Sequence, residues 1–264
     1  MKIGYSTICL FNSMKEQEER DKVFLSFKDY FSKYPRSVVE IFYDANNPPF
    51  LNETRLAILR EVGRSFDLEY SLHLPNYELE NQQSIQTFTE AMNYVFILEC
   101  THAVIHPGWI DPEINLDLAW GLQVGFLGKV GGELHDAGVQ PVIENAPGTS
   151  KSPRVISNPE RMERFFNEKS SRYYEFLLDI GHGYLFHDLD EYIDRLGDKT
   201  SYLHLHDNRG ERDDHLALDN GEIDWRSALN KLLTHNFDGL MVIEATDWEG
   251  NVESLNILKS FLNL

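Results

Sequence analysis

Residues 176–206 read FLLDIGHGYLFHDLDEYIDRLGDKTSYLHLH. Two strand-length apolar runs, Phe176–Ile180 and Ser201–His206, bracket a longer segment. Side chains able to bind a metal cluster at their ends: Asp179 and His182 with the first, His204 and His206 with the second. Working outward, the same unit recurs. Ile3–Ser6, Val38–Tyr43, Glu69–Leu74, Ala103–His106, Pro141–Asn145 and Met241–Ala245 are also short, mostly apolar and β-rich, which makes eight runs in all. Segments with helical spacing separate them, as in Phe24, Phe27 and Phe31, then Leu56, Leu59, Val62 and Phe66, then Leu229, Leu232 and Leu233, and finally Leu255, Leu258 and Leu262. The pattern is βα repeated eight times. It predicts an α/β fold, a single (β/α)8 TIM barrel, with residues 1–264 forming one domain. A doubly wound open sheet would carry a Gly-rich phosphate turn after its first strand, and GxGxxG is absent there.

From the third run onward, each strand-like run ends on or just before His, Asp or Glu. The set is His73, His106, Glu144, Asp179, His182, His204, Asp213, His215 and Glu244: five His, two Asp and two Glu. Catalytic groups of such barrels sit at the carboxyl ends of the strands, so chain order alone gathers these nine around one mouth. Imidazole with carboxylate suits zinc, manganese or iron, because neutral nitrogen and anionic oxygen balance several divalent charges without thiolate. Two or three ions are expected, zinc first. Residues two apart on a strand share a face, so His204 and His206 point the same way. Gly181, between Asp179 and His182, lets the chain turn sharply at the strand end. His102, His135, His187 and His235 read as structural or solvated.

The chain has 264 residues, with 24 Lys+Arg against 43 Asp+Glu and a net charge of −19. That balance repels polyanions, so nucleic acid is an unexpected partner and a small-molecule substrate the expected one. Most of the acidity reads as solvated surface, as with Glu16, Glu18, Glu19 and Asp21 of the first helical segment. Cys9 and Cys100 are the only cysteines, too few for a disulfide framework. With no signal peptide and no apolar run long enough to span a membrane, the expected location is the cytoplasm. Oligomeric state is left open.

The order H…HPG…EN…DxxH…H…DxH…E resembles the endonuclease IV group within the xylose-isomerase-like TIM barrels, over nearly the whole chain. The resemblance implies a first metal held by His73, His106 and Glu144. A second would be held by Asp179, His204 and Glu244 with Glu144 bridging, and a third by His182, Asp213 and His215. Sugar isomerases and epimerases of the superfamily need only Glu144, Asp179, His204 and Glu244, around one ion. Endonuclease IV-like proteins follow the first His with a Tyr- and Asn-containing segment that penetrates DNA and end on ETP. Here those stretches read HLPNYELEN and EATDW. The forms ENAPG, LDIGH and HLHDN followed by GEIDW are more similar to a sugar phosphate isomerase branch.

Two enzymes fit these residues. A metal-dependent hydrolase of a phosphoester or related bond would use all nine donors, and bound metal supplies a nucleophile by lowering the pKa of water. An isomerase or epimerase of a sugar or sugar phosphate would use one ion and the pair Glu144 and Glu244 as acid and base, leaving five donors idle as ligands. Hydrolysis is therefore set first, with abasic-site cleavage and a non-catalytic metal- or ligand-binding module behind. His206, and Arg209 and Arg212 in HDNRGERDDH, are candidate substrate contacts, the arginines through planar forks matched to phosphate or carboxylate. Trp109 and Trp248 are expected to wall the mouth, and Trp225 to pack.

Overall fold

Eight parallel strands close in chain order into a barrel: β1 (Lys2–Ser6), β2 (Val38–Phe42), β3 (Glu69–His73), β4 (His102–Ile105), β5 (Gln140–Glu144), β6 (Glu175–Asp179), β7 (Thr200–Leu205) and β8 (Leu240–Ile243). The computed structural model describes residues 1–9, 31–33, 36–43, 51, 53–146, 148–149 and 151–264. The helical spacing of Phe24 and Phe27, with Glu16, Glu18, Glu19 and Asp21, lies outside the described residues. β8 pairs with β1, Met241 opposite Ile3, which completes the ring. The expected strands all occur, with ends within two residues of the expected ones.

Alternation along the strands sorts their side chains into two populations. Val39, Ile41, Leu72, Ile105, Ile143, Leu178, Leu203 and Ile243 face outward into the large core shared with the helices. Val38, Val104, Val142, Leu177, Tyr202, Leu240 and Val242 form a separate buried cluster, the filling of the barrel interior. Two residues further along the same strands come Glu40, His106, Glu144, Asp179, His204 and Glu244. A two-residue step keeps the face, so these donors form the next layer up, toward the carboxyl ends of the strands.

Around the barrel run α1 (Glu53–Phe66), α2 (Gln82–Ile97), α3 (Leu116–Asp136), α4 (Pro159–Phe166), α5 (Ile180–Leu185), α6 (Leu189–Leu196), α7 (Trp225–Thr234) and α8 (Trp248–Leu262). Local chemistry starts most of them. The side chains of Asn81, Asn115, Asn158, Asp224 and Asp247 each accept a backbone N–H of the first helical turn. Among the described residues, the repeat after β6 departs from the simple βα pattern, since two helices follow it. The chain breaks at His187, whose left-handed backbone (φ 60°) ends α5 before Asp188 precedes α6. No helix among the described residues is long and apolar enough to cross a membrane.

Candidate metal centre

Glu144, at the end of β5, is the hub of the upper layer. Its Oε2 lies 3.3 Å from His73 Nε2, 3.0 Å from His106 Nε2 and 3.6 Å from His204 Nδ1, and its Oε1 lies 3.1 Å from His182 Nδ1. Four imidazoles from four strand ends thus converge on one carboxylate that is 1% exposed. A second focus is His204 Nδ1, which also faces Glu244 Oε2 at 3.2 Å and Asp179 Oδ2 at 3.7 Å. The third is Asp213, whose Oδ2 lies 3.3 Å from His182 Nε2 and 3.1 Å from His215 Nε2.

Asp213 and His215 reach this place because the loop after β7 folds back. Asp207 and Leu216 exchange backbone hydrogen bonds of 2.9 and 2.8 Å, His215 takes a left-handed turn (φ 48°), and Thr246 N donates to His215 O at 2.7 Å. Asp179 caps α5, its Oδ1 accepting from His182 N at 2.7 Å, which fixes the spacing of the DxxH pair. Gly181 between them is required, since a Cβ there would sit 2.0 Å from His206 Cε1.

Each of the five histidines is oriented from behind. Nδ1 of His73 contacts Leu74 O at 3.1 Å, His182 Nδ1 contacts Asn145 O at 3.1 Å, and His215 Nδ1 contacts Glu244 O at 2.8 Å. His106 Nδ1 contacts Asn76 Oδ1 at 2.8 Å, and His204 Nε2 contacts Glu40 Oε2 at 3.2 Å. In four of the five the nitrogen left over is aimed at the carboxylates, while His182 turns one nitrogen to Glu144 and the other to Asp213. Metal-ligating histidines are held by an outer partner in this way. His106 Nε2, Glu144 Oε2, His204 Nδ1 and Glu244 Oε1 are buried, and none has a hydrogen-bond partner. Buried polar atoms are normally satisfied, so a set of orphans converging on one volume fits a candidate cation-binding site. Donor triplets that could share an ion include His73, His106 and Glu144, and Glu144, Asp179 and His182.

Without a cation the layer neutralises itself. Burial alone would raise the Glu144 and Asp179 carboxyls, but neighbouring imidazoles, His106 and His204 for the first and His182 and His206 for the second, hold both well below the usual range. Burial drives Glu40 upward most strongly, but His204, His73 and the Tyr202 hydroxyl together outweigh it, and it settles at about 2. Burial depresses His106 to about 4. For His182, His204 and His215 burial also works downward, but adjacent carboxylates prevail and raise all three, His215 to about 9. Glu244 is raised, by burial first and by Glu40 and Glu144, against the pull of His204.

The structure brings all nine sequence-predicted donors into this layer and its rim. His206, a candidate substrate contact, is fully buried with Nε2 3.1 Å from Asp179 Oδ1, and its ring stacks on His215 at 4.0 Å. Arg209 is exposed and reaches Asn220 O at 3.5 Å, while the exposed Arg212 pairs with Asp214. Trp109 is half-buried under the Arg154 guanidinium, 5.1 Å from its ring centroid. Trp248 packs instead toward Tyr5 and Phe31, at 6.0 and 6.5 Å between centroids, because it opens α8 against the core. Trp225 is buried. His235 pairs with Asp198 at 2.8 Å and His102 meets Thr101 at 2.9 Å, both apart from the centre.

Sequence reasoning missed Glu40, Asn76, Asn145 and Arg154. Glu40 had a signal, a lone carboxylate inside the apolar run VVEIF. It accepts from Tyr202 Oη at 2.7 Å as well as meeting His204, so it is a fully buried support for His204 within the same layer. Asn145 locks β5 to β6, with Asp179 N donating to its Oδ1 at 2.6 Å and its Nδ2 donating to Asp179 O at 2.9 Å.

The family model described as xylose isomerase-like TIM barrel matches residues 35–261. The chain belongs to that family. An uncharacterised protein of Methanocaldococcus jannaschii is 27% identical over 177 residues, covering 63% of this chain and 67% of its own. Solved structures that share the fold include the following three. A D-tagatose 3-epimerase-like protein superposes with a TM-score of 0.80 at 21% identity, covering 100% of this chain and 97% of its own. The IolI protein with a bound zinc atom gives 0.77 at 16%, covering 100% and 98%. An AP endonuclease, family 2, from Brucella melitensis gives 0.71 at 12%, covering 98% of each chain.

Proposed function

We propose that this family member is a divalent-metal-dependent hydrolase that cleaves a phosphoester or related bond in a small phosphate- or sugar-containing molecule. Two or three ions would be held by the nine donors, zinc suiting the set best and manganese or iron also suited. His73, His106 and Glu144 would hold one, Glu144, Asp179, His204 and Glu244 another, and His182, Asp213 and His215 a third. The observation that carries the reading is the crowding of Glu144, with both oxygens faced by imidazoles. A carboxylate so enclosed is suited to bridging cations and poorly suited to carrying a proton between two carbons of a substrate.

When bound, such ions supply Lewis-acid polarisation of a substrate oxygen and a lowered pKa for water. The chain's own groups do the rest. Glu244 turns Oε2 to His204 and keeps a buried Oε1 without a partner. Oε1 is therefore suited to take a proton from the attacking water and return it to the leaving oxygen. Glu40, Asn76 and the backbone carbonyls of Leu74, Asn145 and Glu244 keep the imidazoles in place through that charge movement.

One observation favours a second reading. The quartet around His204 Nδ1 is by itself enough for a single ion, and an epimerase-like protein is among the solved structures similar to this chain. In that reading Glu144 and Glu244 pass a proton between carbons of a sugar. The two chemistries separate in one experiment. Zinc-loaded protein given a chromogenic phosphodiester or phosphomonoester should turn it over, and His73→Ala or His106→Ala should abolish the turnover. A ketose incubated in heavy water should gain no carbon-bound deuterium. Deuterium appearing beside the carbonyl, lost in Glu244→Gln and kept in His106→Ala, would replace the hydrolase with the epimerase.

A further inference from the structure

We propose that Asn76 and Arg154 are positioning residues that fix the tautomer of His106, and through it the donor group of His73, His106 and Glu144. The consequence for metal rests on the function proposed above; the tautomer does not.

Asn76 lies in the loop after β3, and Arg154 in the segment between β5 and α4. A single atom of Asn76 is approached from two sides, by His106 Nδ1 at 2.8 Å and by Arg154 Nη2 at 2.8 Å. A guanidinium donates and never accepts, so that Asn76 atom is the carbonyl oxygen and not the amide nitrogen. An amide oxygen only accepts, so His106 Nδ1 must carry the proton. Nε2 is then the bare nitrogen, and it stands 3.0 Å from Glu144 Oε2 with no hydrogen-bond partner. Two acceptors facing each other at that distance repel unless a cation lies against both. Arg154 therefore acts at a distance: by choosing which atom of Asn76 faces His106, it decides which nitrogen of His106 faces the centre.

Arg154 is itself firmly held. It is 5% exposed, donates from Nη1 to Pro107 O next to His106, and lies over the Trp109 ring. Burying a guanidinium is costly unless its donors are used, so these contacts set its orientation. Among the five histidines, three are oriented by backbone carbonyls and His204 by Glu40. Only His106 depends on a neutral side chain that a second side chain orients. The first donor group can thus be disturbed while the others stay intact.

The test uses the full chain, metal-free and labelled with 15N histidine. Long-range 1H–15N correlation reads the tautomer of each imidazole, His106 being recognised by its absence from the His106→Asn spectrum. Wild type should show Nδ1–H, Asn76→Asp should keep it, and Asn76→Ala should shift it toward Nε2–H. Asn76 is exposed, so its replacement carries the test even where Arg154→Met fails to fold. Arg154→Lys, which keeps the charge and a single donating nitrogen but not the fork, should fall between wild type and Arg154→Met. In zinc titrations Asn76→Ala should weaken one ion by about tenfold to hundredfold and leave the rest unchanged. An Nε2–H signal for His106 in wild type overturns the proposal, as does an Asn76→Ala isotherm that superimposes on wild type. Wild type that binds no zinc while keeping Nδ1–H would sink the metal reading and leave the tautomer standing.

Discussion

On β5, Val142 and Glu144 look into the same barrel interior two residues apart, as Leu177 and Asp179 do on β6 and Val242 and Glu244 do on β8. The lower rung is apolar and complete in itself. The upper rung is charged, and burial opposes each of its carboxylates and imidazoles. Closing the barrel imposes both, since a strand that packs one inward residue must bring the next one along. The difference shows where stability and chemistry reside: below and outside the ring for the first, and in a buried layer of facing imidazoles and carboxylates suited to a cation for the second.

The largest effect expected from that contrast comes from removing metal. Protein purified without chelator should carry two or three ions, and each contributes about 4 kcal/mol at a thousandfold excess over its Kd, provided the unfolded chain does not bind. Chelation should therefore lower the melting temperature sharply, and readdition of zinc should restore it. A melting curve indifferent to chelator, with one ion or none by elemental analysis, would end the contrast between the rungs.

Next in size is a pair of substitutions at positions that face each other on neighbouring strands, Leu177 on β6 and Glu144 on β5. Leu177→Ala in the lower rung should cost about 2–5 kcal/mol of stability, the usual range for a buried leucine, and leave the metal count per folded chain unchanged. Glu144→Gln should empty two positions at once, because a bridging carboxylate serves both, whereas His215→Ala should empty one. Equal metal losses from Glu144→Gln and His215→Ala would contradict the bridge, and metal loss from Leu177→Ala would show that the rungs are not independent.

How much of this was legible follows the same division. Outward residues such as Ile41, Ile143 and Leu203 repeat at the strand period, so eight strands and their order could be read from apolar spacing alone. Strand ends could not, because spacing does not reveal where ladder bonding stops and a side chain turns to the mouth. Seven of the nine donors were visible because His, Asp and Glu close apolar runs, and Asp213 and His215 because they repeat a two-residue spacing in the loop that follows β7. Asn76 and Arg154 were not, because they sit in loops and matter only through one shared oxygen. The break between α5 and α6 rests on a left-handed backbone at His187, a conformation that its residue type does not announce.

A smaller effect is the dependence of metal binding on pH. Raised imidazoles such as His215, at about 9, stabilise the metal-free fold below the unfolded value of about 6.5, and that contribution is lost as pH rises through 9. Metal must displace those protons. The gap in melting temperature between zinc-loaded and metal-free protein should therefore widen from pH 6.5 to pH 9. A gap that stays constant over that range would mean that the imidazoles are already neutral and that burial, not the carboxylates, governs them.

The smallest effect tests the boundary between the rungs. Tyr202 belongs to both: its ring is part of the apolar filling, and its hydroxyl donates to Glu40 Oε2 at 2.7 Å and meets Ser71 Oγ at 2.9 Å. Tyr202→Phe keeps the ring and removes one bond to a buried carboxylate that His204 still faces, so about 1–3 kcal/mol of stability should be lost. Metal affinity at the position holding His204 should fall less than tenfold, because Glu40 keeps its contact with His204 Nε2. Metal content should not change. If Tyr202→Phe emptied that position while the protein stayed folded, Glu40 would depend on the tyrosine for its own placement, and the support of the centre would begin one rung lower than the donors suggest.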